Sequence, residues 1–380
     1  FSEYGMVFVL LGLIIYFAAG TWSVQYPENS SAAQSLAQKI LDDGNTNQNV
    51  LIVTTTDKTV IPFEQTLRVA LTAGDVTVLE SVSGEPVDLG RSLQKLGEQG
   101  TRVDVLATHH RVAEWDMLAP KTFDRAWTRK FPSLKNVRVE EPDTYKWFSF
   151  LTWENLMDLL NQNADIAIMA IGMTLVIITA GIDLSVGKLL ALSSVTTAWL
   201  IVNQTPGATA STGAVLACAL AGVAVCAAMG AFSGVMVAGF SVPPFVITLS
   251  IMFIASGMAY LMTDAAAAIS FKHSAATWLG LERSLFGIPN AVLLMLLLFI
   301  VAHVVMTHTR VGRHIYAVGG NPEAARLSGV PVKWVLVLVY AVCGALAGLA
   351  GLVQGARLSS GGAQYGDGYE LSVIAAVVVG

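Results

Sequence analysis

The 380-residue chain is 54% hydrophobic and only 13% charged, against roughly 25% charged in soluble domains, which excludes an ordinary soluble protein and describes a polytopic membrane protein. A formal net charge of −5, with no basic stripe interleaved with aromatic residues, gives no sign of nucleic-acid binding. Cys218, Cys226 and Cys343 all lie in apolar stretches and read as small packing residues, which excludes a disulfide framework.

Residues 4–19 are apolar over about the length that crosses a bilayer. A signal peptide would carry a basic leading region, which this segment lacks, so residues 1–21 are expected to remain as a first transmembrane helix. Residues 22–147 then hold 14 of the 22 Lys and Arg and 17 of the 27 Asp and Glu. Two physically different bodies share the chain. Strand-like runs at 49–55, 75–81, 102–107 and 136–139 alternate with helix-like runs at 30–41, capped by Ser30 or Ser31, and at 63–73, 87–99 and 123–130. That alternation implies a parallel sheet with helices on its faces, a small doubly wound α/β domain.

Ligands of such sheets sit beyond the carboxyl ends of the strands. Those ends offer Thr54, Thr55, Thr56, Asp57, His109 and His110, with Trp115 as a stacking partner. Thr55, Asp57, His109 and Trp115 are therefore the candidate ligand set for a hydroxyl-rich solute. The competing reading is a docking or spacer domain without a ligand, because a periplasmic-type binding protein closes two lobes and this segment has length for one. His109, His110, Glu114 and Asp116 match no specific metal-ligand spacing.

The chain returns to apolar sequence through Trp147, Phe148, Phe150 and Trp153, an aromatic cluster of the kind found at membrane interfaces. Thr152, with Asn155 or Glu154, can cap a short helix leading into a span at 166–180. Gly181-Ile-Asp-Leu-Ser-Val-Gly-Lys188 is similar to a phosphate loop but has five residues between its glycines, and Leu189 where a hydroxyl is required. The ATPase reading fails. Asp183 instead suits a break in the helix, capping the turn from Leu184 with Lys188 as its partner; direct contact with a transported solute is the alternative. Further spans are expected at 189–202, 213–239, 245–262 and 291–306. Gly230 with Gly234, and Gly344 with Gly348, have the four-residue spacing that lets helices approach closely. The length of 213–239 leaves room for a re-entrant bend. Ser185, Ser193, Ser194 and Thr248, with Asp183, are the polar candidates for a translocation pathway.

Residues 310–331 form a polar island holding Arg310, Arg313, Glu323 and Arg326 between two runs, 291–306 and 334–353, that contain no Lys, Arg, Asp or Glu. Positive charge between spans marks the cytoplasmic side, and counting the spans from an exiting first helix gives the same side. Asn321-Pro322 can start a short helix and Gly329-Val330-Pro331 can stop it, giving a helix over 322–328 on the membrane surface. A solvated linker is the plainer alternative. By the same count residues 22–147, 264–289 and 357–370 lie outside.

Four separated runs carry a family resemblance: GIDLSVGKLLALSS from Gly181, PPFVITLSIMFIASGMAYLMT from Pro243, GRHIYAVGGNPEAARLSGVPV from Gly312 and ARLSSGGAQYGDGYELSVIAAVVVG from Ala356. In this order they resemble the permease subunits of monosaccharide-type (ribose-, xylose- or galactose-like) ABC importers, over about residues 148–380 and the first span. The resemblance implies a polytopic α-helical permease core with the α/β domain inserted where the usual family form has none. It also implies that a partner ATPase grips Glu323, Ala324, Ala325 and Gly329, flanked by Arg313, Asn321 and Arg326. ATP and Mg would be bound by that partner; this chain carries no ATPase motif and is expected to need no cofactor. An extracytoplasmic sugar-binding protein, a second permease copy sharing the pathway, and the lipid of a bacterial-type inner membrane are the other implied partners. Asp264 followed by four alanines departs from the glycines that related permeases tend to carry there. Because such permeases continue through further spans, the sequence is expected to be a fragment. An importer of a nucleoside or branched-chain amino acid, or a membrane-anchored sensor, are the rival readings.

Overall fold

The computed structural model describes residues 5–43, 48–57, 60–74, 76–204, 210–264 and 268–379. Within it the chain divides into two compact units, Val7–Leu151 and a helical body from Thr152 onward to which Gly5 and Met6 also belong.

The first unit begins with α1 (Gly5–Gly20), a uniformly apolar helix on which Phe8, Ile15 and Tyr16 are exposed. It runs directly into β1 (Trp22–Gln25), which pairs antiparallel with β6 (Tyr145–Phe148), Trp22 opposite Phe148 and Gln25 opposite Tyr145. This ribbon occupies sequence read above as an aromatic re-entry segment. Between its strands lie α2 (Ser30–Asp42), β2 (Gln48–Thr54), α3 (Ile61–Thr72), β3 (Val76–Ser83), α4 (Pro86–Glu98), β4 (Val105–Thr108), the short α5 (His110–Ala113) and α6 (Pro120–Phe123), and β5 (Arg138–Glu140). β3-β2-β4-β5 form one parallel sheet.

Strand alternation decides the layers. Val50 and Ile52 of β2 face α2 and α3 in a core with Leu36, Phe63 and Leu67, whereas Leu51 and Val53 face the opposite core with Leu89, Leu93 and Leu134. Two details differ from the sequence reading. The cap of α2 is Asn29, whose Oδ1 accepts from Ala32 N at 2.9 Å, because Ser30 and Ser31 already lie inside the helix. Residues 123–130 form one short helix end followed by a π turn over Asp124–Thr128.

Six helices of the second unit are long and apolar enough to cross a membrane: α7 (Trp153–Ile178), α8 (Val186–Gln204), α9 (Thr212–Phe240), α10 (Pro244–Met262), then α12 and α15 below. After α10 come β7 (Ile269–Ser270), α11 (Ser274–Leu281) and the hairpin β8 (Arg283–Leu285) with β9 (Ile288–Pro289). α12 (Asn290–His308) leads through α13 (Arg310–Gly320) and α14 (Pro322–Leu327) to α15 (Val332–Leu358), and β10 (Ser360–Gly361) and α16 (Tyr369–Val379) follow. Residues 265–267, within the alanine run noted above, lie outside the described residues, as do Asp75 and Tyr4.

α7 is one continuous 26-residue helix capped by Thr152, so the short interfacial helix and the span expected separately are a single rod. α9 likewise runs unbroken for 29 residues and contains no re-entrant bend. The two glycine pairs turn out to face each other. A Cβ on Gly234 would stand 2.7 Å from Val337 Cα, and one on Gly348 would stand 3.0 Å from Val223 Cα. Gly230 and Gly344 meet at the middle of the same contact. α9 and α15 therefore pack backbone to backbone, in the way that small-residue spacing permits in lipid, where dispersion rather than the hydrophobic effect holds helices together.

Candidate functional site

The two ends of the helical unit carry different chemistry. At one end α14 follows α13 almost without a linker. Thr309 caps α13 by accepting from Gly312 N at 3.4 Å, and Ile315 and Val318 bury its apolar stripe. Sequence reading placed a helix only over 322–328; the 11-residue α13 was missed, although its Ile315–Val318 spacing at the foot of an apolar run was the available signal. Asn321 caps α14, its Oδ1 accepting from Glu323 N and Ala324 N, each at 3.0 Å. Gly329, at φ +84°, adopts the left-handed conformation that ends such a helix, and Val330 N donates back to Ala325 O at 3.0 Å.

Of the residues proposed for docking, Ala325 is buried against the bundle, while Arg313, Asn321, Glu323, Ala324, Arg326 and Gly329 are exposed. Glu323 and Arg326 pair with each other at 2.9 Å across one turn. Arg310, Arg313, Arg326 and Lys333 put four basic groups at this end. Gly319 of α13 meets the Ile178 carbonyl at the close of α7, so this basic end abuts the place where α7 stops.

There the chain passes through Thr179–Ser185 before α8 begins. Asp183 is fully buried and its Oδ1 accepts from Ser185 N at 2.8 Å and Ser185 Oγ at 2.6 Å. Asp183 thus caps the break, but through one amide and one hydroxyl. Lys188 is not its partner: that lysine pairs with Asp367. The reason is a second break. After α15 the chain turns back alongside α8, and Gly366, at φ +71°, crosses Gly187 so closely that a Cβ on either would strike the other's carbonyl. The segments that open α8 and α16 repeat a pattern, Gly181-Ile-Asp-Leu-Ser-Val186 and Gly368-Tyr-Glu-Leu-Ser-Val373. This internal echo was the signal for the pairing of the two breaks.

The other pathway candidates are buried within the chain. Ser193 Oγ donates to Gly348 O at 2.7 Å, Ser194 Oγ to Ala191 O at 2.8 Å and Thr248 Oγ1 to Ile182 O at 3.3 Å. Asp183, Ser185, Ser193 and Thr248 are all at 0% exposure, so in this conformation they serve helix breaks and helix contacts. Ser194 also reaches a cavity of about 700 Å³ between α8, α9, α11 and α15.

The opposite end holds an ion pair that sequence reading missed. Asp165, at 0% exposure in α7, accepts from Arg357 Nη2 at 2.7 Å, and Arg357 Nη1 donates to Asn161 O at 2.6 Å. Arg357 was expected in an outer loop, but it belongs to the last turn of α15.

In the α/β unit the proposed ligand residues divide. Thr55, Asp57 and His109 come together beyond β2 and β4, where His109 Nε2 accepts from Thr55 N at 3.3 Å and Nδ1 meets Glu28 Oε1 at 2.9 Å. Arg111 bridges Glu28 to Asp57, the latter at 3.1 Å. Trp115 does not join them; it packs into the core on the α4 side. The carboxyl ends of β2 and β4 are thus filled by the chain's own ionic network, with His109 fully buried beneath it. Glu28 was not singled out because it lies outside every strand end. Of the four side chains weighed for a metal, His110 and Glu114 stay together at 3.4 Å, but His110 also bonds Glu141 at 2.9 Å and His109 bonds Glu28. Among the described residues no cluster of three metal-ligating side chains forms.

Burial raises the Glu28 carboxyl, but hydrogen bonds from His109 and Arg111 outweigh it and hold the group at about 2, below its ordinary 4.5. A depressed carboxylate stabilises the fold fully above the unfolded value and loses that contribution as pH falls through the folded one. Amide exchange at β2 and β4 of the full chain in detergent should therefore be slower in the wild type than in Glu28→Gln above about pH 4.5. The difference should vanish between there and about pH 2. A gap that stays constant over that window would refute the role assigned to Glu28.

A family model described as the permease component of branched-chain amino acid transport systems matches residues 155–380. The ribose import permease protein of Escherichia coli K12 is 44% identical over 235 residues, 61% of this chain and 70% of that protein. The D-allose transport system permease protein of the same strain is 35% identical over 231 residues, covering 61% and 68% of the two chains. Its galactofuranose transporter permease protein is 38% identical over 225 residues, covering 59% and 63%. No solved structure matches. The match takes in both helix breaks, α13, α14 and all six long apolar helices except the first two residues of α7. With six such helices and a family match over more than half its length, this multi-pass membrane chain belongs to the transport-system permease family that includes those ribose, allose and galactofuranose permeases.

Proposed function

We propose that this chain is the transmembrane permease of an ATP-binding-cassette importer for a monosaccharide, driven by ATP and Mg on a separate subunit. The observation that carries the reading is the 44% identity to a ribose import permease across the helical unit. An exposed, capped α14 supports it, because a short rigid helix at the basic end of the bundle is what an ATPase partner needs to push against. Arg313, Asn321, Glu323, Ala324, Arg326 and Gly329 form the docking surface, and Ala325 anchors it from below.

Two copies share the solute route, with Asp183, Ser185, Ser193, Ser194 and Thr248 exposed to it only when the helices shift. An extracytoplasmic sugar-binding protein delivers the cargo to the end that holds α11 and Arg357. With α1 as a first span, residues 22–147 form an inserted domain on that outer side. The ionic network at its strand ends favours a docking or spacer role over a ligand site, since His109 is taken up by Glu28, Asp57 by Arg111, and Trp115 lies elsewhere.

The family description names amino acids and the matched relatives name sugars, so cargo is the quantity to measure. Uptake of radiolabelled ribose into cells producing the permease with its ATPase and binding protein should be competed by unlabelled ribose, allose or galactofuranose and not by leucine or a nucleoside. Competition by leucine alone would reassign the transporter to amino acids.

A further inference from the structure

The cavity of about 700 Å³ between α8, α9, α11 and α15 falls within the roughly 300–1,000 Å³ of small-molecule sites. Its chemistry is poorly matched to a sugar. Val215, Val223, Leu294, Leu349 and Leu352 are typical of its lining, and a sugar placed there would leave most of its hydroxyls without partners.

Three features describe an amphiphile instead. Leu216 and Leu220 of α9 line the cavity yet are 58% and 59% exposed, so the opening faces sideways from a membrane-spanning helix, where acyl chains are the solvent. Inside, the polar side chains are few, Ser194, Thr197, Thr212 and Ser274 among mostly apolar neighbours, a lining suited to an acyl chain. One wall is built by the segment that contains Phe271, Trp278 and Glu282, and this segment carries separated charges of both signs. Among the described residues Glu282 has no ion-pair partner, nor does Lys272, exposed beside the lining Phe271. Trp278, half exposed, supplies the amphipathic ring typical of the interface.

We propose that this cavity holds a zwitterionic phospholipid, an ethanolamine lipid with an acyl chain between α9 and α15, its ammonium on Glu282 and its phosphate on Lys272. A glycerol headgroup would bring its phosphate near Glu282 and no ammonium to balance the like charge. The inference rests on the membrane-spanning reading alone and is independent of the cargo.

The test is lipid analysis of the full transporter purified in detergent and re-equilibrated with mixed micelles of phosphatidylethanolamine and phosphatidylglycerol. The wild type should retain phosphatidylethanolamine at about one per permease, judged by native mass spectrometry, as expected of an occupied site of this kind. Ala219→Trp with Ala276→Trp, two large rings from opposite walls, should cut the retained lipid several-fold while gel filtration shows the assembly intact. Should that variant fail to fold, Glu282→Lys, at an exposed position, keeps the idea open to refutation. It should move the preference from the ethanolamine to the glycerol headgroup by a few-fold, as expected of one partly exposed ion pair. Retention of no lipid by the wild type, undiminished lipid in the double tryptophan variant, or an unchanged headgroup preference in Glu282→Lys would each overturn the proposal. A photocrosslinker at Leu220 that captures a second permease chain instead of lipid would do the same.

Discussion

Arg357→Met is expected to destabilise the helical unit by about 3–5 kcal/mol, the usual cost of leaving one member of a buried ion pair without the other. The estimate follows from geometry. Asp165 has no exposed surface, and its carboxylate is held by Arg357 at 2.7 Å and Ile166 N at 2.9 Å. Arg357 in turn fastens to Asn161 O at 2.6 Å and to Gln354, so one guanidinium ties α7 to the end of α15. Removing it strands a carboxylate in an apolar bundle, and charge in such a place is tolerated only when paired. Asp165→Leu combined with Arg357→Met removes both charges and preserves bulk, and should recover most of the loss. Thermal unfolding of the detergent-solubilised permease, read by fluorescence-detected gel filtration, separates the cases. If the double variant is as unstable as Arg357→Met, the loss comes from packing and not from the stranded charge.

This ion pair also shows where the sequence stops being informative. Asp165 and Arg357 lie 192 positions apart, and although Arg357 falls in the run that begins at Ala356, nothing in that run names a partner. Each alone reads as an interfacial charge, the commonest place for one near a span. Only the antiparallel packing of α7 on α15 brings them together. The same limit explains Lys188, assigned to Asp183 because it was five residues away, whereas the reversal of the chain after α15 delivers Asp367. Local features fared differently. The Asn321-Pro322 start and Gly329 stop of α14 were legible because caps and left-handed turns depend on neighbours in sequence. The glycine pairs were legible as packing faces, but four-residue spacing does not say which helix is the partner; that required Gly230 and Gly344 to be seen in contact.

In the α/β unit, alternation in β2 specified two buried faces, and Val50 with Ile52 and Leu51 with Val53 occupy them. The strand ends were located as well, but not the side chains that approach them from elsewhere in the chain. Asp57 and His109 look like free polar groups until Glu28 and Arg111, which approach from outside the strands, pair with them. Polar residues at a strand end announce a place where backbone donors converge, and whether a ligand or the protein's own side chains use it is decided by segments far away in sequence.

Glu323→Arg should abolish co-purification of the partner ATPase while leaving the permease folded. Glu323 and Arg326 are exposed, at 75% and 68% by side chain, so breaking their mutual pair costs at most about 1 kcal/mol. Reversing the charge also sets a cation in the first turn of α14, against the helix dipole, for a further loss of about 0.3–1 kcal/mol. Those sums are too small to unfold a bundle whose core lies elsewhere. At a protein interface the same change acts differently, since a like-charge contact costs several kcal/mol and each 1.4 kcal/mol is about tenfold in affinity. Asn321→Ala supplies the matching structural control. It removes the cap that accepts from Glu323 N and Ala324 N, loosens α14 by about 0.5–2 kcal/mol and should weaken ATPase retention without abolishing it. If docking depends on the shape of α14 alone, the two variants will behave alike. If it depends on the Glu323 carboxylate, only the reversal will release the ATPase completely. Retention by both variants would remove residues 310–331 from the coupling surface.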